Sequence, residues 1–256
     1  MNGAQFLAAS YSDLVHRARA LARRSSVTLD VIDVVRRSGY VFPFLQLRVG
    51  AHRPQQMLLS AGFHGDEPAG IYAAFECAER LAALDCPLGA LVLPCTNPTG
   101  FAAGRRRNDI GYDLNRTFGQ YPAPHETEIL REAIAGRNFA CTLDLHEDDG
   151  ADGFYIYEHV RSPELTLGPA MVARVRAAGF PIHSGSEVEG YSMHAGCVFP
   201  KDETTSETIG FFSIFLFDYH TPHSMTTETP VRLPLPARVA MHVTAFEELL
   251  ERERGR

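Results

Sequence analysis

Apolar and polar positions along this chain follow two alternating rhythms. Short runs have a period of two or no period, and longer stretches carry the 3.6-residue period of a helix. Near the N-terminus Phe6, Leu7, Tyr11, Leu14, Val15, Ala18 and Leu21 recur at helical spacing with arginines between them, which predicts a surface helix within residues 1–25. Residues 26–35 and 40–49 read as strands, turned by Arg36-Arg37-Ser38-Gly39. Residues 56–61 read as a buried strand. Residues 68–84 read as a helix, with Pro68 near the start where its missing N–H is harmless. Residues 90–94 predict a strand running into the turn Asn97-Pro98-Thr99-Gly100. A helix over 125–137, a central strand over 139–145, a strand over 153–158 and a helix over 163–178 follow. Residues 211–219 and 225–228 read as the last strands, and 238–253 as a closing helix.

This alternation predicts an α/β fold, a single domain spanning 1–256. Its sheet is expected to be mixed, mostly parallel and twisted, with helices on both faces. Residues 179–224 are expected to form a long irregular loop region holding one strand. In such sheets ligands bind beyond the carboxyl ends of the strands. His64, Asn97, His146 and Glu228 all end or follow strand-like runs, so one rim of the sheet is the expected place for chemistry.

Composition narrows the classes. The formal net charge is −7 and the only basic tract is Arg105-Arg106-Arg107, which argues against nucleic acid as a partner. No apolar run approaches the roughly 20 residues needed to span a bilayer, so no membrane partner is expected. The N-terminal pattern does not resemble a signal peptide. Five cysteines, an odd number without a CxxC pair, suggest neither a disulfide framework nor a cysteine zinc site. The expected location is the reducing cytoplasm. Nothing in the composition fixes an oligomeric state.

The residues that carry chemistry begin with His64-Gly65-Asp66-Glu67, directly after an apolar run, and continue with His146 at the end of another. Two imidazoles and one carboxylate are the ligand set of a hydrolytic zinc site with an open fourth position. His64-x-x-Glu67 alone is weak, because a first-turn carboxylate also suits a helix dipole. Further on, Arg-Arg-Asn-Asp-Ile-Gly-Tyr-Asp-Leu-Asn-Arg-Thr-Phe runs from Arg106 to Phe118. Arginines near an asparagine suit a carboxylate ligand, since guanidinium offers a bidentate fork. Glu147-Asp148-Asp149 reads either as pocket electrostatics or as a solvated acidic turn.

Taken in order, His64-x-x-Glu67, Asp113-Leu114-Asn115-Arg116, Asp144-Leu145-His146 and Thr227-Glu228-Thr229-Pro230 resemble the zinc carboxypeptidase family related to pancreatic carboxypeptidase A, which includes the succinylglutamate desuccinylase/aspartoacylase branch. The resemblance covers roughly residues 55 to 250. It implies one Zn²⁺ held by His64, Glu67 and His146. It implies Glu228 as the carboxylate that takes a proton from the attacking water and delivers it to the leaving amine. It also implies Arg106 as the residue that polarises the scissile carbonyl, with Arg105 and Arg107 left as alternatives. Asn115 and Arg116 would clamp a substrate carboxylate, and Asp113 would orient the first zinc histidine. Tyr191 is the better candidate for the family's mobile tyrosine, and Tyr219 the second. His194, His220 and His223 lie in the same region and could hold a second metal.

These roles imply a small substrate, a short peptide cut at its C-terminal residue or an N-acyl amino acid. The desuccinylase/aspartoacylase branch commonly adds a C-terminal β-rich domain, for which the residues after Glu228 leave no room. The phrasing from Arg106 to Arg116 also resembles the peptidases more. The expectation is therefore a metallocarboxypeptidase, with N-acyl amino acid amidohydrolase as the alternative. A non-catalytic metal- or ligand-binding module is the reading from another class.

Overall fold

The computed structural model of the chain describes residues 6–7, 9–37, 39–200 and 210–255. Strand β1 (Phe6–Leu7) and helix α1 (Ala9–Leu21) precede the hairpin of β2 (Val27–Arg37) and β3 (Tyr40–Val49). Then come β4 (Gln55–Ala61), α2 (Pro68–Ala83), β5 (Leu88–Leu93) and the short α3 (Pro98–Ala103). Helix α4 (His125–Ile134) leads into β6 (Thr142–Asp148) and β7 (Tyr155–Val160), and α5 (Gly168–Ala177) follows. Three short strands, β8 (Glu187–Val188), β9 (Tyr191–His194) and β10 (Cys197–Val198), come before α6 (Phe212–Tyr219), β11 (His223–Pro230) and α7 (Leu235–Arg254).

The strands pair in the order β1-β3-β5-β4-β6-β11-β7-β10-β9-β8, with β2 on β3 beside that path. Strands β5, β4, β6 and β11 run parallel. Strands β3 and β7 flank them antiparallel. The parallel set is covered on both faces, which is why β4 and β5 read as unbroken apolar runs and not as alternation. Strand β11 shows the two faces directly, because neighbouring strand positions point to opposite sides. Ser224 Oγ donates to the Ser213 carbonyl on α6, while Thr227 and Thr229 bond His242 on α7. Helices α6 and α7 therefore cover opposite faces, and one hydrophobic cluster runs from α1 through the sheet to α7.

Five expectations change. Phe6 and Leu7, read with the N-terminal helix, form strand β1 against β3, and the helix starts at Ala9. Residues 211–219 form helix α6, not a strand. The run is apolar on almost every side, so its period is uninformative, and its eight residues fit either element. Residues 179–224 are less irregular than expected, since β8, β9, β10 and α6 lie within them, although 201–209 fall outside the described residues. The turn at Asn97-Pro98 opens a helical segment, α3, capped by the Asn97 side chain and ended by Gly104 at a φ of 59°. The helix expected over 163–178 is broken after a single 3-10 turn, because the buried Glu158 carboxylate accepts the backbone N–H groups of Leu167 and Gly168 and restarts the helix there. No helix among the described residues is long and apolar enough to cross a membrane.

His242 sits fully buried between the hydroxyls of Thr227 (2.9 Å) and Thr229 (3.3 Å). Burial first, then repulsion from His146, lowers its pKa to about 3. An unfolded chain binds a proton there once the pH drops below about 6.5, and the native protein refuses it until about pH 3. This contribution is complete above pH 6.5 and is lost as pH falls. Urea unfolding of metal-free protein should show the parent losing more stability than His242→Gln between pH 7.5 and 5, by on the order of 2 kcal/mol. Parallel losses in the two proteins would contradict the assignment.

Candidate metal centre and catalytic cleft

Strands β4, β5, β6 and β11 end on the same rim, and the loops leaving them are tied together. Thr96 and Asn97 donate their backbone N–H groups to the carbonyls of Ala61 and Gly62. The Asn97 amide donates to the carbonyls of Phe63 (3.1 Å) and Arg106 (3.0 Å). Asn97 is thus consumed in holding the loops and does not line the cleft. At Gly65 the chain passes so close to α3 that a Cβ would lie 1.9 Å from the Gly100 carbonyl carbon, so only glycine fits. This packing aims His64 inward.

Glu67 lies between two imidazoles. Its Oε1 is 2.5 Å from His64 Nδ1, and its Oε2 is 2.8 Å from His146 Nδ1. All three side chains are buried, and their ligand-type atoms lie within 4.8 Å of one another. Among the described residues they are the group that could hold a metal ion. The opposite ring nitrogens are also held. His64 Nε2 is 3.2 Å from Asp113, and His146 Nε2 is 2.9 Å from Asp144. Asp144 is fixed in turn by the Ser60 hydroxyl at 2.8 Å. Burial pushes the Glu67 carboxyl up, but His146 and His64 outweigh it and hold it at about 2. Burial likewise opposes a charge on His146, while Asp144 and Glu67 raise its pKa well above the ordinary value. Asp113 lies well below the carboxylate range, because His64, Arg106 and Arg116 overcome its desolvation.

Glu228 is paired in register with His146 across β11 and β6, so its carboxyl faces the same space. Its Oε2 is buried and has no hydrogen-bond partner among the described residues. Burial is the largest cause of a pKa raised well above normal; His146 opposes it, and Glu67, Asp148 and Glu189 add to it. A buried polar atom without a partner is costly unless something else meets it.

A cleft of about 450 Å³ opens on this group. Of the three adjacent arginines, only Arg106 lines it; Arg107 is turned to the Gly111 carbonyl. Arg106 binds Asp113 at 3.0 Å and approaches Glu67 to 3.6 Å. Asn115 and Arg116 line the cleft from a single 3-10 turn begun by Asp113. Asn115 Oδ1 accepts the Phe212 N–H (3.0 Å), which leaves its amide nitrogen on the His146 side, and the Arg116 guanidinium lies 3.6 Å over the Phe211 ring. Tyr191 lines the cleft from β9, whereas Tyr219 is exposed on α6 and does not. His223 is buried against Glu158 (2.7 Å) and His220 bonds the Arg137 carbonyl. These two are therefore engaged elsewhere, and among the described residues His194, His220 and His223 belong to no metal-type group.

Sequence reasoning missed Asp144 as the partner of His146. It also left Glu147 open. Glu147 is buried, accepts the Ala69 N–H at the start of α2 (2.7 Å) and pairs with Arg238, so it anchors a helix. Glu147, Asp148 and Asp149 all line the cleft.

Comparison with known proteins agrees with this geometry. A crystal structure from Shewanella amazonensis SB2B, assigned provisionally to the metallopeptidases, superposes with a TM-score of 0.79 at 23% identity, covering 96% of this chain and 94% of that one. A metallo-carboxypeptidase from Burkholderia cenocepacia gives 0.66 at 16% identity, covering 93% and 67%. These likenesses establish the fold. In sequence, an N-alpha-acetyl-L-2,4-diaminobutyric acid deacetylase of Halomonas elongata is 37% identical over 76 residues, which is 29% of this chain and 22% of that protein. The match thus spans about a fifth of the deacetylase. The succinylglutamate desuccinylase/aspartoacylase catalytic domain matches residues 54–198, more than half of the chain, and with the metal-type cluster lying inside that stretch, the chain belongs to this hydrolase family.

Proposed function

We propose that the protein is a zinc-dependent hydrolase cleaving an amide bond next to a free carboxylate. The observation that carries this reading is the convergence of His64, Glu67 and His146 beside the partnerless Oε2 of Glu228. The donor set suits zinc, since two imidazole nitrogens and one carboxylate leave a position open. Aspartates on the far imidazole nitrogens are what metal-ligating histidines use to fix tautomer and orientation. When bound, zinc lowers the pKa of water to about 7 and polarises a carbonyl oxygen.

The chain's own residues would do the rest. Glu228, as carboxylate, accepts a proton from the attacking water and returns it to the departing nitrogen. Arg106 stabilises the charge that develops on the carbonyl oxygen. The Asn115 amide and the Arg116 guanidinium hold the substrate carboxylate, and Tyr191, which lines the cleft, contacts the substrate. Asp113 and Asp144 keep the two imidazoles in place. Five buried cysteines, none in a disulfide, support a reducing, cytoplasmic setting.

Two substrates satisfy this geometry. A short peptide cut at its C-terminal residue makes the protein a metallocarboxypeptidase, supported by the open cleft and the carboxylate clamp. An N-acyl amino acid makes it an amidohydrolase, favoured by the family match and by the stretch shared with the Halomonas deacetylase. They differ only on the acyl side of the bond. Comparing kcat/KM of the zinc-loaded protein on blocked dipeptides and on N-acetyl amino acids separates them, and turnover of neither contradicts the hydrolase reading.

Four outcomes are expected. Glu228→Gln should bind zinc and ligand while kcat falls about 10²- to 10⁴-fold; equal activity in both proteins would favour a binding module. Asp144→Asn should fold normally but weaken zinc affinity about 10- to 100-fold in a competition titration with a chelating dye. The rate should fall on acidification at a pH above the ordinary carboxylate range, because the raised pKa of Glu228 is the one that must be exceeded. Glu189→Gln should move that limb to lower pH, as it removes one of the charges raising Glu228.

A further inference from the structure

A guanidinium that grips a carboxylate by two parallel hydrogen bonds must hold its plane, and arginine carries that plane on a long, flexible stem. Asp113, which begins the turn carrying Arg116, is bonded to His64 and Arg106. Among the described residues the Arg116 hydrogen bond is from Nη1 to the carbonyl of Asn115, at 3.2 Å. What covers the guanidinium is a ring. Phe211 lies under it, with the guanidinium carbon 3.6 Å from the ring centroid.

A short strap delivers that ring. Phe211 is extended, with φ −73° and ψ 138°, immediately before α6. On one side the Gly210 carbonyl accepts the Phe118 N–H at 3.1 Å. On the other, Phe212 donates its N–H to Asn115 Oδ1 at 3.0 Å. Phe211 is thus tied on both sides to residues 115–118. A Cβ on Gly210 would lie 2.4 Å from the Arg116 carbonyl oxygen, so the close approach needs glycine. The Phe212 ring packs against Phe63 (4.9 Å) and Phe118 (4.6 Å), and Phe63 stacks on the His146 imidazole. The strap is therefore aligned with the metal-type cluster as well as with the clamp.

The N–H donors of a guanidinium lie in its plane, and its weakly hydrated face suits an aromatic ring. A ring on that face takes none of the donors a carboxylate needs, yet it stops the plane from turning. Phe211 and Arg116 both line the cleft. We infer that Phe211 is a positioning residue of the carboxylate clamp: its ring fixes the plane in which Arg116 meets the substrate carboxylate, and the anchors at Gly210 and Phe212 hold the ring in place. This inference rests on the reading above that Asn115 and Arg116 hold that carboxylate.

The test uses the zinc-loaded protein with N-acetyl and blocked glycyl derivatives of leucine, glutamate and lysine, each as the free acid and as the C-terminal carboxamide. Both kcat and KM are measured, with calorimetric Kd in the Glu228→Gln background. Phe211→Leu should raise KM and Kd about 3- to 30-fold for the acids, with kcat and the carboxamides little moved. Phe211→Tyr keeps the ring and should keep the parent's values. In Arg116→Lys, whose ammonium has no plane to fix, Phe211→Leu should add nothing further. A Phe211→Leu protein with unchanged KM and Kd for the acids overturns the inference, as does one that weakens acid and carboxamide alike. Should Phe211→Leu fail to fold, judged by circular dichroism and zinc content, Phe211→Met replaces it and the same ratios decide. Acid selectivity that is weakened by Phe211→Leu, with no compound turned over, would uphold the role of Phe211 and overturn the hydrolase reading. Turnover with acid selectivity untouched by the variant would do the reverse. Acids bound no better than carboxamides by the parent contradict the clamp and the inference together.

Discussion

A single carboxylate shared between two imidazoles organises this molecule. Glu67 is buried from water, and a lone buried carboxylate would be strongly disfavoured. Its position is tolerable only because His64 and His146 meet its two oxygens and because Asp113 and Asp144 meet the far nitrogens of those rings. The five groups come from the loop after β4, the start of α2, the loop before α4, and β6. Misplacing any one of these segments leaves a buried charge unpaired, which costs several kcal/mol. The tight passage of Gly65 against α3 and the bridging amide of Asn97 are consequences of that demand.

The sheet supplies the platform. Four parallel strands, closely packed on both faces, bring their carboxyl ends to one rim and make the metal-type cluster rigid. The antiparallel addition of β7 beyond β11 changes what the rim can do. It extends the floor past Glu228, so that Glu228, Thr226, Tyr155 and Tyr157 lie along one surface. Helix α6 lies against that surface, and Asn115 joins it to the turn that carries Arg116. One asparagine thereby links helix and cleft, its oxygen positioning α6 while its nitrogen faces His146.

Much of this was legible in the amino-acid order, and the limits have physical causes. Helix α1 declares itself because one face is buried and the other is wet, and α2 is marked by Pro68 at its start. Helix α6 does not, since aromatic residues surround it and the period disappears. Asp144 was available to period-two reasoning, because it shares a strand face with His146 two positions later, and Thr226 stands to Glu228 in the same way. His159 was not available, since only the pairing of β7 with β11 brings it under the cleft. The choice among Arg105, Arg106 and Arg107 was closed to sequence as well. Loop direction there is set by Asp113 and by the Asn97 contact to the Arg106 carbonyl, both tertiary.

The central claim is that this buried cluster exists to hold zinc. The most direct measurement is metal content by plasma mass spectrometry on untagged protein, with the His64→Ala/His146→Ala double variant as control. The account predicts about one zinc per chain, lost in the control. No bound metal in the folded parent, even after zinc is added, would contradict it.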